Sequence, residues 1–198
     1  MYHLKKGQIF ELTANSEESK IEHHCIEFIS GITRTALISL FNGETMPVGF
    51  FKEQSISLSG NRLKYFRLQL LALNDSTFKI TRINHEFPRN SDLTCSQWSF
   101  QLCAVKSSAQ IEIRIIRLIA ILIYHFGTRG IKSYKLPFDL SHAQIALLVG
   151  CTRSTVTRQF GLFRDQNLIS PLHQREGISI SEELIESELN FVEQLQMN

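Results

Sequence analysis

Two arginines with no acid within helical reach, Arg153 and Arg158, are the chain's best candidates for recognition chemistry. They stand five positions apart in Thr152-Arg-Ser-Thr-Val-Thr-Arg158, and no Asp or Glu lies three or four residues from either. A surface salt bridge is therefore a poor account of them. A guanidinium presents a planar fork of N–H donors, which fits O6 and N7 of guanine together. Ser154, beside Arg153, adds a short hydroxyl to the same base-reading set. Ser141, His142, Thr152, Thr155 and Thr157 are hydrogen-bonding residues suited to phosphate oxygens, contacts that place a protein on a duplex without specifying sequence. Ser141 and Thr152 also read as helix caps, and His142 as a plain solvent-facing residue.

Two short helices would position these side chains. Ser141 directly precedes an apolar run in which Ile145, Leu148 and Val149 recur at helical spacing. Gly150 ends that helix, since glycine adopts the left-handed conformation without a Cβ clash. Thr152 caps a second helix, with Val156, Phe160 and Phe163 turned inward and Arg153, Ser154, Thr157 and Arg158 turned outward. A helix, a tight glycine turn and a second helix with exposed Arg and Thr make a helix-turn-helix. The second helix of such a motif lies in the major groove.

The rest of the chain supports a DNA-binding reading and weakens others. From Gly127 to Arg175, seven Lys and Arg residues oppose only Asp139 and Asp165. The end of the chain carries Glu182, Glu183, Glu186, Glu188 and Glu193 with no Lys or Arg. A basic segment gains from neutralising phosphates and releasing counterions. No secretory leader is expected from Met-Tyr-His-Leu-Lys-Lys. Ile111 to Phe126 is apolar but holds Glu112, Arg114 and Arg117 and falls short of the roughly 20 residues of a membrane span. It reads as a buried helix ended by Gly127. Cys25, Cys95, Cys103 and Cys151 lack paired metal spacing, so free thiols, no metal and no cofactor are expected. No phosphate-binding glycine loop or nucleophile elbow is present, and the chain does not read as an enzyme.

Before the helix-turn-helix, short strands are predicted over Gln8–Leu12, Cys25–Ser30, Thr33–Leu40, Pro47–Phe51, Phe66–Leu73 and Phe78–Ile83, with Asn42-Gly43 as a hairpin turn. Asp92 to Gln110 reads as a helix. Trp98, Leu102, Val105 and Ala109 fall on it at alternating four and three spacing, a seam for pairing with a second copy or a face for packing on its own barrel. After the recognition helix, Leu168-Ile169-Ser170 and Gly177 to Ile180 form a two-stranded wing whose tip holds Arg175, another phosphate contact. Ser181 caps a last helix with an apolar side of Leu184, Leu189, Val192 and Leu195. The expected parts are a barrel over 1–90, a pairing helix over 91–110, a DNA-binding domain over 111–181 and an acidic helix over 182–198.

The run Val149-Gly-Cys-Thr-Arg-Ser-Thr-Val156 and the following Asp165-Gln-Asn-Leu-Ile-Ser170 resemble the DNA-binding domain of the Crp/Fnr family of bacterial transcription regulators. Thr152 to Arg158, with Leu140-Ser-His142 upstream, is most similar to the nitrogen-control branch found in cyanobacteria and red-algal plastids. The resemblance implies an α+β chain: an N-terminal cupin-like β-barrel (jelly roll), a long dimerisation helix and a C-terminal winged helix-turn-helix. It implies a homodimer on a palindromic site in double-stranded DNA, contact with RNA polymerase, and a place in the plastid stroma or a bacterial cytoplasm. Phe50 to Ser55 and Ser59 to Arg62 resemble the segments that enter and leave the family's effector cassette, with fewer residues between them here. Tyr65 stands where the nitrogen-control branch has an effector-binding arginine, with Arg62 and Arg67 near by. A buried anion needs a fixed cation, so binding of 2-oxoglutarate or a cyclic nucleotide in the family's manner is not expected. An iron–sulfur or haem sensor and an effector-independent DNA-binding protein remain as alternatives.

Overall fold

The computed structural model describes residues 1–13, 23–59, 63–83, 90–172 and 177–197. The chain divides into two compact units, Met1–Ser99 and Phe100–Asn198.

In the first unit the described strands are β1 (Tyr2–Leu4), β2 (Ile9–Leu12), β3 (His23–Ser30), β4 (Thr33–Ser39), β5 (Thr45–Phe51), β6 (Ser55–Ser59), β7 (Phe66–Ala72) and β8 (Ser76–Ile83). They pair antiparallel in the orders β1-β8-β3-β6 and β2-β7-β4-β5. Strands that alternate between two facing sheets make the expected jelly roll. The period-two pattern sends Ile26, Phe28, Ile56 and Leu58 into the interior from one sheet and Phe51, Leu68 and Leu70 from the other. Aromatic rings join the two layers. Phe78 stacks on Tyr2 at 5.2 Å and meets Phe10 edge-on at 5.2 Å, while Phe28 stacks on Phe51 at 5.4 Å.

Two strands escape the sequence pattern, β1 and β6. Each is short, and β6 (Ser-Ile-Ser-Leu-Ser) has only Ile56 and Leu58 to mark its buried face. It occupies the stretch that looks abbreviated beside the family's effector cassette. The hairpin between β4 and β5 also differs from expectation. Only Gly43 has a positive φ, at 71°. Asn42 contributes through its side chain, whose Oδ1 accepts from the Glu44 amide at 3.1 Å.

Helix α1 (Asn90–Lys106) ends four residues before the expected Gln110, and Ala109 is exposed beyond it. Trp98, Leu102 and Val105 are already buried within the single chain, at 4%, 7% and 0% exposure. Trp98 lies 5.3 Å from the Phe50 ring and so close above Gly49 that a Cβ there would stand 2.5 Å from Trp98 Cγ. The four–three spacing is common to a coiled-coil seam and to a packed amphipathic face.

The second unit holds α2 (Ile111–Phe126), β9 (Thr128–Arg129), β10 (Ser133–Leu136), α3 (His142–Val149), α4 (Arg153–Asp165), β11 (Ile169–Pro171), β12 (Ile178–Ser181) and α5 (Glu182–Met197). Helix α2 is buried along Ile115 and Leu118 to Ile123 and forms the core of the unit. No helix among the described residues is long and apolar enough to cross a membrane. Gly127 ends α2 as expected, with φ −78°. The wing sheet has four strands in the order β11-β12-β10-β9, not two, because Ser133–Leu136 pairs with Ser181–Ile178. Its tip, with His173, Gln174 and Arg175, lies outside the described residues. The acidic α5 packs on α2 through Ile185 and Val192, both fully buried. Two of its acids are committed: Glu188 meets Arg117 at 2.7 Å, and Glu182 meets Arg129 at 2.7 Å.

Candidate nucleic-acid interface

The turn between α3 and α4 sets the geometry of the site. Ser141 caps α3, accepting from the Gln144 amide at 3.3 Å, while Gln144 Oε1 accepts from the Ser141 amide at 2.7 Å. This reciprocal capping box satisfies two N–H groups that a helix start leaves unpaired. Gly150 then takes φ 71° and ψ 52°, a conformation that costs a residue with a Cβ roughly 1–2 kcal/mol. Thr152 caps α4, accepting from the Thr155 amide at 3.2 Å.

Below the surface, Ile145, Ala146, Leu148 and Val149 of α3 and Val156, Phe160 and Phe163 of α4 are buried. The register of α4 is thereby fixed. Arg153, Ser154, Thr157 and Arg158 are all exposed, as the sequence pattern requires. The guanidinium groups of Arg153 and Arg158 make no ion pair with any described residue, so their donors remain available to a ligand.

The hydroxyls are less free than the arginines. Thr152 Oγ1 lies 2.9 Å from both Ser154 Oγ and Thr155 Oγ1, which draws Ser154 back toward the cap. Thr157 Oγ1 donates to the Arg153 carbonyl at 3.0 Å. Its one hydrogen is thus spent inside the helix, and it has none to give a phosphate. Ser141 uses its oxygen only as an acceptor among the described bonds, so its proton remains to donate. His142 Nδ1 lies 2.9 Å from Thr157 Oγ1, and its ring leans on Phe160 at 5.1 Å. Burial and the Arg164 and Arg153 charges depress its pKa, against a smaller opposing effect of Asp139.

Arg114 and Arg117 of the same unit are structural. Arg114 donates from Nε to the Ser108 carbonyl at 2.6 Å and from Nη1 to the Val149 carbonyl, at the end of α3, at 3.3 Å. Arg117 donates to the Ala104 carbonyl at 2.9 Å and to Ser107 Oγ at 3.0 Å, and its guanidinium lies 4.1 Å from the centre of the Phe191 ring. These bonds tie the Ser107–Gln110 connection to α2, α3 and α5. Nothing in their spacing separates them from Arg153 and Arg158; only the partners do.

In the first unit the described residues at the expected effector position are Tyr65 and Arg67. Tyr65 is exposed and stacks on Phe41 at 6.1 Å. Arg67 pairs with Glu11 at 3.3 Å, and Glu11 in turn accepts from Gln69 Nε2 at 3.2 Å. Gln69 Oε1 accepts from the buried Arg34 at 3.0 Å, an arginine that the sequence pattern did not single out. Arg62 lies outside the described residues. Among the described residues no group of three or more His, Cys, Asp or Glu is placed to hold a metal ion.

The geometry is that of a winged helix-turn-helix with an unpaired arginine pair on its second helix. Residues 114–183 match the model of the Crp-like helix-turn-helix domain. Solved structures share the fold of the whole chain. A CRP-family transcriptional regulator of Thermus thermophilus superposes with a TM-score of 0.66 at 14% identity, over 96% of this chain and 97% of the other. FixK2 of Bradyrhizobium japonicum gives 0.65 at 12% identity, over 96% and 94%. A CooA variant of Carboxydothermus hydrogenoformans gives 0.64 at 17% identity, over 96% and 86%. No curated protein sequence matches significantly. The C-terminal unit thus carries a Crp-like DNA-binding domain, and the chain as a whole has the fold of Crp/Fnr-type transcription regulators.

Proposed function

We propose that this chain is a sequence-specific regulator of transcription in nitrogen control that binds a palindromic promoter site as a homodimer and contacts RNA polymerase. One observation carries the DNA-binding part. Arg153 and Arg158 are held on the outer side of α4 by the buried Val156, Phe160 and Phe163, and no described acid satisfies them. Base reading falls to these two arginines, with Ser154 held close to the cap. Phosphate contact falls first to Ser141 and His142, with Thr152, Thr155 and Thr157 in shaping roles. Two-fold pairing follows from site size, since one recognition helix reads too few bases and symmetric dimers read palindromes. Nitrogen control and a plastid or bacterial setting rest on the resemblance of Thr152–Arg158 to that branch.

Control without the family's effector fits better than control by it, since Tyr65 faces Phe41 and Arg67 is paired with Glu11. The test is binding to a duplex with GTA and TAC half-sites, at fixed salt, with and without 2-oxoglutarate. Specific binding that ignores the effector is the expected outcome. Binding tightened by 2-oxoglutarate would restore an effector site, and no preference over random DNA would remove the proposed target.

A further inference from the structure

His142 borders a cleft of about 790 Å3 whose polar lining is Asp139, Ser141, His142, Arg153 and Arg164. Arg164 lies eleven positions after Arg153, three turns along the same face of α4. It is exposed and makes no ion pair with a described residue. On the opposite wall, Ile169, Pro171 and Ile178 of the wing are uncharged. Two guanidinium groups therefore face one carboxylate, and the cleft is electropositive.

In the tautomer with its proton on Nδ1, His142 donates to Thr157 Oγ1 across 2.9 Å while Thr157 donates to the Arg153 carbonyl at 3.0 Å, so both bonds are made at once. A neutral imidazole protonated on Nδ1 bears a bare lone pair at Nε2. A phosphate oxygen accepts and cannot donate, so that tautomer offers it no hydrogen bond. Protonation turns Nε2 into a donor and leaves the Thr157 bond intact.

We propose that this cleft is a proton-linked seat for one backbone phosphate of duplex DNA, held by Arg164 together with His142 as imidazolium. The inference rests on the DNA-binding reading above and adds a residue, Arg164, and a proton to it. Filling the seat takes one proton from solvent onto Nε2, with no other bond made or broken. Without DNA the ring stays neutral at neutral pH, because burial, Arg164 and Arg153 all disfavour its charge and only Asp139 favours it. A phosphate at the seat reverses that balance by placing negative charge between the cations. The wing strands that complete the cleft add no charge of their own.

A labelled random-sequence duplex is the probe, titrated with full-length protein across salt and pH. Arg164→Gln is expected to lower the slope of log affinity against log salt by about 0.9, the value of one neutralised phosphate, with equal loss on random and palindromic DNA. Wild-type affinity is expected to fall by up to tenfold per pH unit as pH rises from below 6.5, one proton being taken up on binding. His142→Asn keeps a donor to Thr157 and cannot titrate, so its affinity should be flat with pH at the wild-type high-pH level. His142→Gln places a permanent donor near the Nε2 position and should be flat at a higher level. An unchanged salt slope in Arg164→Gln, or an unchanged pH profile in His142→Asn, overturns the seat while leaving DNA binding in place. A wild-type protein that binds no duplex overturns the DNA reading as well.

Discussion

The two units spend their polar side chains in opposite ways. In Met1–Ser99 the cations of one sheet are closed into a relay: Arg34 to Gln69, Gln69 to Glu11, Glu11 to Arg67. In Phe100–Asn198 the arginines separate into two groups. Arg114, Arg117 and Arg129 are satisfied by carbonyls, a hydroxyl and the acids of α5. Arg153, Arg158 and Arg164, all on α4, are not. A fold normally pairs its buried polar groups, and an exposed guanidinium pays little for standing alone. What distinguishes a recognition arginine is therefore not exposure by itself but a helix register locked from beneath with nothing to neutralise the upper side. The interior of the first unit, joined by Tyr2, Phe10, Phe78, Phe28 and Phe51, shows the contrasting design, in which side chains are used up on one another.

The sharpest way to break the contrast is to damage one unit and read the other. Phe78 is fully buried and touches Tyr2, Phe10 and Phe28. Phe78→Ala should cost about 3–5 kcal/mol of stability in denaturant unfolding, because the ring joins both sheets. A loss under 1 kcal/mol would mean that the rings do not carry the barrel. The corresponding group of the second unit is titratable. His125 donates to Gln101 Oε1 across 3.1 Å, and burial pulls its pKa down to about 4. The folded state keeps it neutral while the unfolded chain takes a proton below about 6.5. Its contribution is thus complete above pH 6.5 and lost as pH falls toward 4, by less than the shift alone would give because the side chain is open to solvent. His125→Gln should flatten that part of the stability–pH curve; a slope that persists unchanged would assign it to other groups.

Recognition of the fold from sequence succeeded where local signals and packing agree. Ser141, Gly150 and Thr152 mark helix ends by side-chain chemistry that acts within four residues, and Val156, Phe160 and Phe163 mark a face by period. Both kinds of signal survive without knowledge of the rest of the chain. Trp98, Leu102 and Val105 mark an apolar face by period but not what covers it; the chain itself buries all three. The missed elements share that cause. β1 and β6 are defined by their partners β8 and β3 rather than by their own few apolar residues. The pairing of Arg67 with Glu11 was hidden because Glu11 is fifty-six positions away in sequence and adjacent only across a strand pair. The bond from Thr157 ends on the Arg153 carbonyl, a backbone atom that no side-chain pattern reveals.

A smaller effect tests the unpaired arginines. Arg158→Ala and Arg153→Ala should each cost about 1–3 kcal/mol in binding to the preferred site while leaving random DNA nearly unaffected. Arg164→Gln, by the argument above, should weaken both kinds of DNA alike. The three substitutions thus divide α4 into reading and seating positions. Equal losses on both duplexes for Arg158→Ala would move it into the seating group and leave specificity to Arg153 alone.

The smallest predicted effect is also the most local. Ser141→Ala removes the acceptor of the Gln144 amide and half of the capping box. A lost cap costs about 1 kcal/mol, and the loss should appear in unfolding whether or not DNA is present. Ser141→Asp supplies a stronger cap and puts a negative charge where a phosphate is expected to lie. It should therefore restore stability and weaken DNA binding at the same time. Capping alone predicts recovery of both properties together, so a Ser141→Asp protein with full DNA affinity would confine Ser141 to the helix start and take it out of the interface.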